Sequence, residues 1–189
     1  ATNFQEPSFG WLTDQFETVF KSTDGLFFLG GADLPSVTYN HKTSLLTEVS
    51  TPYRHYFELS YLFHLLGGYQ DTSFVPLLTN RKDYIVIGFC LGMQTLNTAT
   101  GGSMYQDIPF ELYNKKYVED VLKLDPDQQH KNYWQNLYPD EGMIWANFHK
   151  IKPVKDHHFF DEQLWQNNPT PYVYSSHHQA VKNAGLNIE

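Results

Sequence analysis

The chain has 189 residues, 41% hydrophobic and 16% aromatic, with a formal net charge of −8. That length suits one domain able to bury its own core, and the acidic balance argues against nucleic acid as a partner, because a phosphate backbone needs a basic face. No apolar run approaches the ~18 residues of a membrane-spanning helix, and a single cysteine allows no intrachain disulfide and leaves the compartment open.

Trp11, Leu12, Phe16, Val19 and Phe20 recur at helical spacing, which predicts an amphipathic helix over 8–21. Asp24-Gly25 breaks it, and Leu26-Phe27-Phe28-Leu29 is a short continuous apolar run, the pattern of a strand buried on both faces. Gly30-Gly31-Ala32-Asp33 follows at once. Two glycines at the C-terminal end of such a strand either let backbone approach a ligand closely or make an ordinary turn. Residues 34–50 are polar and irregular and read as a surface excursion. Thr51-Pro52 reads as an N-cap with Pro at the first helical position. Phe57, Leu59, Tyr61, Leu62, Leu65 and Leu66 predict an apolar helix that Gly67-Gly68 ends. Phe74-Val75-Pro76-Leu77-Leu78 reads as a short strand, and 84–88 as the central one.

That central run leads into Gly88-Phe89-Cys90-Leu91-Gly92, and Met93, Leu96, Asn97 and Thr100 continue at helical spacing to Gly101-Gly102. A cysteine between two glycines at a strand-to-helix corner is the thiol form of the nucleophile elbow, a turn too tight for side chains beside the nucleophile. The helix N-terminus carries partial positive charge that suits an anionic sulfur, and it leaves N–H groups free for an oxyanion. The plainer alternative, a small cysteine filling core space, does not explain both glycines. The order helix, strand, helix, strand, helix calls for a mostly parallel sheet with helices on both faces. Gly30-Gly31 and Cys90 then fall at the same, ligand-binding edge and can face one another.

Residues 103–109 are polar and extended. The stretch 110–142 is charged and aromatic, with a predicted helix over 117–124, and reads as a peripheral elaboration placed to border a pocket. Strands are predicted over 143–151 and 171–174, a helical turn or two over 159–165, and the beginning of a further strand over 185–189. His157-His158 and His177-His178 are adjacent pairs, with His130 and His149 also available. Adjacent strand residues point to opposite faces and no cysteine or carboxylate completes a ligand spacing, so no metal and no cofactor is expected.

The segment Gly88-Phe89-Cys90-Leu91-Gly92-Met93-Gln94, with Gly101-Gly102-Ser103-Met104-Tyr105-Gln106-Asp107-Ile108, resembles the nucleophile block of class I glutamine amidotransferase-like hydrolases, closest to the γ-glutamyl hydrolase branch. Gly30-Gly31-Ala32-Asp33 is similar to the family's oxyanion loop, with Leu29 where Pro is usual. Arg54 and Glu58 resemble its Arg-Asp-x-x-Glu helix, with His55 in place of the Asp. Ser176-His177-His178-Gln179-Ala180-Val181 resembles its Ser-x-His-His-Gln block. The four blocks occur in the family's order across about 24–189. The family's Gln-Trp-His-Pro-Glu block has no counterpart here, Leu91 stands where Arg is common, and the expectation is one domain over 1–189 lacking its first strand and the C-terminal triad segment.

The resemblance implies a three-layer, flavodoxin-like α/β fold and a cysteine hydrolase that cleaves γ-glutamyl amide bonds through a thioester on Cys90. It implies backbone N–H groups of Gly31 and Leu91 as the oxyanion hole, Gln94, His178 and Gln179 as contacts of the glutamyl group, and His177 as a possible alternative base. The partner expected is a small γ-glutamyl substrate, with a second chain or segment supplying the triad histidine and glutamate. Two other functions stay open: a glutaminase domain passing ammonia to a synthetase, and an inactive relative serving as a scaffold.

Overall fold

The computed structural model describes residues 9–67, 73–152 and 170–186. They form two compact units, one of Ala1–Gln106 with Gln179–Glu189 and the other of Asp107–His178.

In the first unit, α1 (Phe9–Ser22) and α2 (Pro52–Leu66) confirm the helical periodicities, and β1 (Gly25–Phe28) and β2 (Ile85–Gly88) the apolar runs. The two strands pair in parallel, with Gly25 opposite Ile85 and Phe28 opposite Gly88. Alternation along the strands turns Phe28, with Leu26 and Val86, into a core built on Phe16, Phe20, Tyr61, Leu62, Leu65 and Tyr84. Phe16 and Tyr61 stack at 4.6 Å between ring centroids. The other sheet face presents Phe27, Ile85 and Phe89, each more than half exposed. Arg81 sets the strand starts: it donates to the carbonyls of Phe20 and Thr23 at the end of α1 and to the Asp24 carboxylate. Cations suit helix C-termini because the last carbonyls lack intrahelical donors.

The helix α3 (Leu91–Ala99) starts directly after β2. A Cβ at Gly92 would overlap the carbonyl of Phe28, and one at Gly88 would lie 2.5 Å from the backbone of Gly92 and Met93. The first turn of α3 therefore rests on the ends of both strands, and only hydrogen fits at these two positions. After it, β3 (Ser103–Tyr105) pairs antiparallel with β6 (Ala180–Asn183). The second strand falls five residues before the predicted start at 185; Gly185 and Leu186 lie outside it, and 187–189 lie outside the described residues.

Three expectations are corrected in this unit. The excursion after β1 is anchored: Leu34 and Tyr39 are buried against Leu91 and Met104, and Ser36–Tyr39 forms a 3-10 turn. Gln106 clasps the same loop, accepting from Ser44 N–H and Thr47 Oγ1 and donating to the Lys42 carbonyl. The strand predicted over 74–78 is absent, and Leu77–Asn80 is a 3-10 turn instead; Pro76, without an N–H, cannot donate to a ladder. Pro52 does occupy the first helical turn of α2, but Thr51 makes no side-chain capping bond.

The second unit holds α4 (Ile108–Tyr113), α5 (Val118–Val121) and α6 (Trp134–Leu137), and an antiparallel pair, β4 (Asn147–Lys150) with β5 (Tyr172–Ser175). The helix predicted over 117–124 shrinks to the single turn of α5. Asp107 caps α4 by accepting the N–H of Phe110 at 2.8 Å. Asn147 donates to the Gln129 carbonyl, tying β4 to the charged stretch before it. The helical turn predicted over 159–165 lies outside the described residues.

The architecture is α/β with a small parallel sheet. Gly92→Ala should cost at least about 3 kcal/mol, the upper range for overpacking, because backbone rather than a movable side chain is in the way. Met93→Ala, one residue on and 39% exposed, should cost less than about 1 kcal/mol. Urea unfolding of the two variants measures the difference.

Candidate active site

Cys90 sits between β2 and α3 with φ 55° and ψ −114°, and its side chain is exposed. A non-glycine residue held at positive φ carries about 1–3 kcal/mol of strain. The surroundings fix it there: Phe89 N–H donates to the Phe28 carbonyl at 2.8 Å, Gly92 N–H to Phe89 at 2.9 Å, and Gln94 N–H to the Cys90 carbonyl at 3.2 Å. The thiol is therefore not the core filler of the plainer reading. It stands on an elbow whose strand and helix both hold the corner.

The glycine loop after β1 does meet this corner. A Cβ at Gly30 would lie 3.5 Å from Cys90 Cβ and 3.8 Å from its Sγ. At Gly31 a Cβ would lie 2.5 Å from Arg54 Nη1 and 2.8 Å from Leu91 Cδ2. Leu91, the first residue of α3, has no carbonyl one turn back within the helix to accept its N–H.

Behind the loop, α2 supplies a polar group. Arg54 Nη2 donates to the Leu29 carbonyl at 2.8 Å, Nη1 to the Gly30 carbonyl at 3.0 Å, and Nε to Glu58 Oε1 at 2.7 Å. His55 is fully buried, and among the described residues neither of its ring nitrogens has a hydrogen-bond partner. Burial holds its pKa below the usual imidazole range; Glu58 opposes that shift, Arg54 adds to it, and Asp33 opposes it. Where the resembling helix carries an Asp, this chain holds a buried imidazole.

Gln94 and Gln179 lie in the same unit and are both buried. Gln94 Nε2 donates to the Gln179 carbonyl at 3.5 Å, a long bond. Gln94 thus faces the protein interior, one helical turn beyond Cys90, and holds main chain.

His177 and His178 belong to the second unit. The His178 ring, through Nδ1, shares a hydrogen bond of 3.0 Å with Asp107 Oδ2, and its carbonyl accepts the Ile108 N–H at 2.7 Å. The His177 N–H donates to the His130 carbonyl at 3.0 Å, and the His130 ring lies 5.0 Å from that of His177 and 4.8 Å from that of His149. Among the described residues no group of three or more His, Cys, Asp or Glu side chains is placed to hold a metal ion. Sequence reasoning singled out Arg54 by its block but not its grip on two carbonyls, and it missed the edge-on and tilted contacts of the His130 ring with His149 and His177. The i, i+4 spacing of Arg54 and Glu58 was the available sign; the histidines lie too far apart in sequence to give one.

A sequence model of one protein family, described as Peptidase C26, matches residues 10–189. No curated protein matches the chain.

The three imidazoles generate a pH prediction. Burial first, then repulsion from His177 and His149, lowers the His130 pKa to about 4. Unfolded chain takes up this proton near its ordinary value of 6.5. Between those values the unfolded state binds more protons, so stability falls as pH drops from 6.5 towards 4 and is insensitive to this group above 6.5. His130→Phe, which keeps an aromatic ring against its neighbours, should flatten that slope in urea melts at pH 7 and pH 5. A slope unchanged from the parent protein would rule His130 out as its source.

Proposed function

The chain belongs to the peptidase C26 family of class I glutamine amidotransferase-like cysteine peptidases, and from that we propose that it is a γ-glutamyl hydrolase whose nucleophile is Cys90. The observation that carries the reading is the exposed sulfur on a strained strand-to-helix corner, with Gly30 packed beside it. A cysteine that only fills space has no need of a costly backbone conformation, whereas a nucleophile must be aimed.

On this reading the Cys90 thiolate attacks the γ-carbonyl carbon of a glutamyl amide, and the carbonyl electron pair moves to oxygen. The N–H groups of Gly31 and Leu91 receive that oxyanion. Their contribution is large because they are fixed in advance: loss of one such donor lowers rates about 10²–10³-fold. The C–N bond then breaks, the amine leaves with a proton, and a γ-glutamyl thioester remains. Water adds to the thioester, releases glutamate and returns the thiol. Gln94 shapes the glutamyl site by holding the Gln179 main chain. The sequence contains no His-Pro-Glu, and on this reading the histidine and glutamate that move the proton come from a second chain or a further segment. The same reading extends the sheet to a three-layer, flavodoxin-like arrangement. The apolar face of Phe27, Ile85 and Phe89 supports it, because parallel sheets are ordinarily covered on both sides.

A second reading is an inactive relative that serves as a scaffold. Glutamate release from a γ-glutamyl anilide by the natural protein separates the two. Cys90→Ala should lower it by roughly 10⁴-fold or more while circular dichroism is unchanged. Full activity in Cys90→Ala removes the nucleophile assignment, and a parent protein that releases no glutamate favours the scaffold.

A further inference from the structure

We propose that Arg54 is a positioning residue that fixes the Gly30–Gly31 peptide in the orientation the oxyanion requires; the inference rests on the hydrolase reading above. Two consecutive glycines leave the backbone free to rotate over most of φ/ψ space. Left to itself, the peptide between them would present its N–H in many directions.

Arg54 removes that freedom from one side. Its two terminal nitrogens take the carbonyls of Leu29 and Gly30, at 2.8 and 3.0 Å, and its third donor takes Glu58. A planar fork that meets three acceptors at once has little room to swing. The described peptides are trans, so the C=O of Gly30 and the N–H of Gly31 point in opposite directions across one rigid plane. Locking the carbonyl on the guanidinium therefore directs the Gly31 N–H away from it. The guanidinium also packs beside Gly31: a Cβ built there would lie 2.5 Å from Nη1, so a side chain at 31 would have to displace the fork.

Glu58 completes the arrangement. Its side chain is 14% exposed and holds Nε of Arg54 at 2.7 Å, and its second oxygen is buried with no partner among the described residues. The carboxylate thus orients the fork and offsets its charge. Burial disfavours a charge on the neighbouring His55 ring. Lysine at 54 would supply a point charge but could not span both carbonyls.

The test separates reactions that form an oxyanion from one that does not. A γ-glutamyl aldehyde adds Cys90 sulfur to its carbonyl carbon, with the electron pair going to oxygen, and so needs the oxyanion donors. Iodoacetamide alkylates the same sulfur by displacing iodide and forms no oxyanion. In the natural protein, Arg54→Met should lower kcat for a γ-glutamyl anilide about 10²-fold, in the range for one lost oxyanion donor, with KM nearly unchanged. Affinity for the aldehyde should fall by about the same factor, and the iodoacetamide rate should stay within about twofold of the parent. Arg54→Lys, which keeps the charge and tests the fork alone, should recover only part of the loss.

Aldehyde affinity and kcat both preserved in Arg54→Met overturn the proposal. So does an iodoacetamide rate that falls in step with kcat in both variants, since that marks collapse of the elbow. A parent protein whose Cys90 reacts with iodoacetamide but binds no γ-glutamyl aldehyde overturns the hydrolase reading itself, and this inference with it.

Discussion

The contact between the first turn of α3 and the end of β1 is what the candidate site depends on. Gly92 lies against the Phe28 carbonyl so closely that no side chain fits. That carbonyl also accepts the N–H of Phe89, so one backbone group receives the strand ladder and bears the helix. Cys90 is caught between these two constraints, and its positive φ is the geometric result. The strain is small beside the packing that imposes it, since the core below includes Phe16, Phe28, Leu62 and Leu65 at 6% exposure or less.

From that contact the other parts follow in sequence. Parallel pairing of β1 and β2 brings their C-terminal ends side by side, which sets the Gly30-Gly31 loop against the elbow. α2 then closes the loop from behind through Arg54. Gln106 and the buried pair Leu34 and Tyr39 hold the long connection between the loop and α2. The polar groups here are mostly tied to main chain rather than to each other, which suits a site in which fixed backbone donors carry the chemistry.

The elbow, the glycine loop and the pairing of their strands were legible in the sequence. They rest on short-range rules: an apolar run for a buried strand, a glycine where backbone approaches backbone, helical spacing after the corner. The anchoring of the excursion at 34–50 was not legible because its composition is polar overall, while a few residues such as Leu34, Ser36 and Tyr39 are buried. Pro76 carried the information against a strand at 74–78, but the apolar residues around it outweighed it. The grip of Arg54 on two carbonyls and the ring contacts of His130 depend on residues far apart in the chain, and no local pattern announces them.

The central claim, that Cys90 carries the glutamyl group during turnover, has a direct test. The natural protein is mixed with a γ-glutamyl ester, quenched in acid within the first turnovers, digested and weighed by mass spectrometry. The account predicts that the peptide containing Cys90 gains the mass of one glutamyl group and loses it when the quench is delayed until substrate is exhausted. Turnover with the adduct on another residue, or with no adduct while glutamate accumulates in a rapid burst, would contradict it.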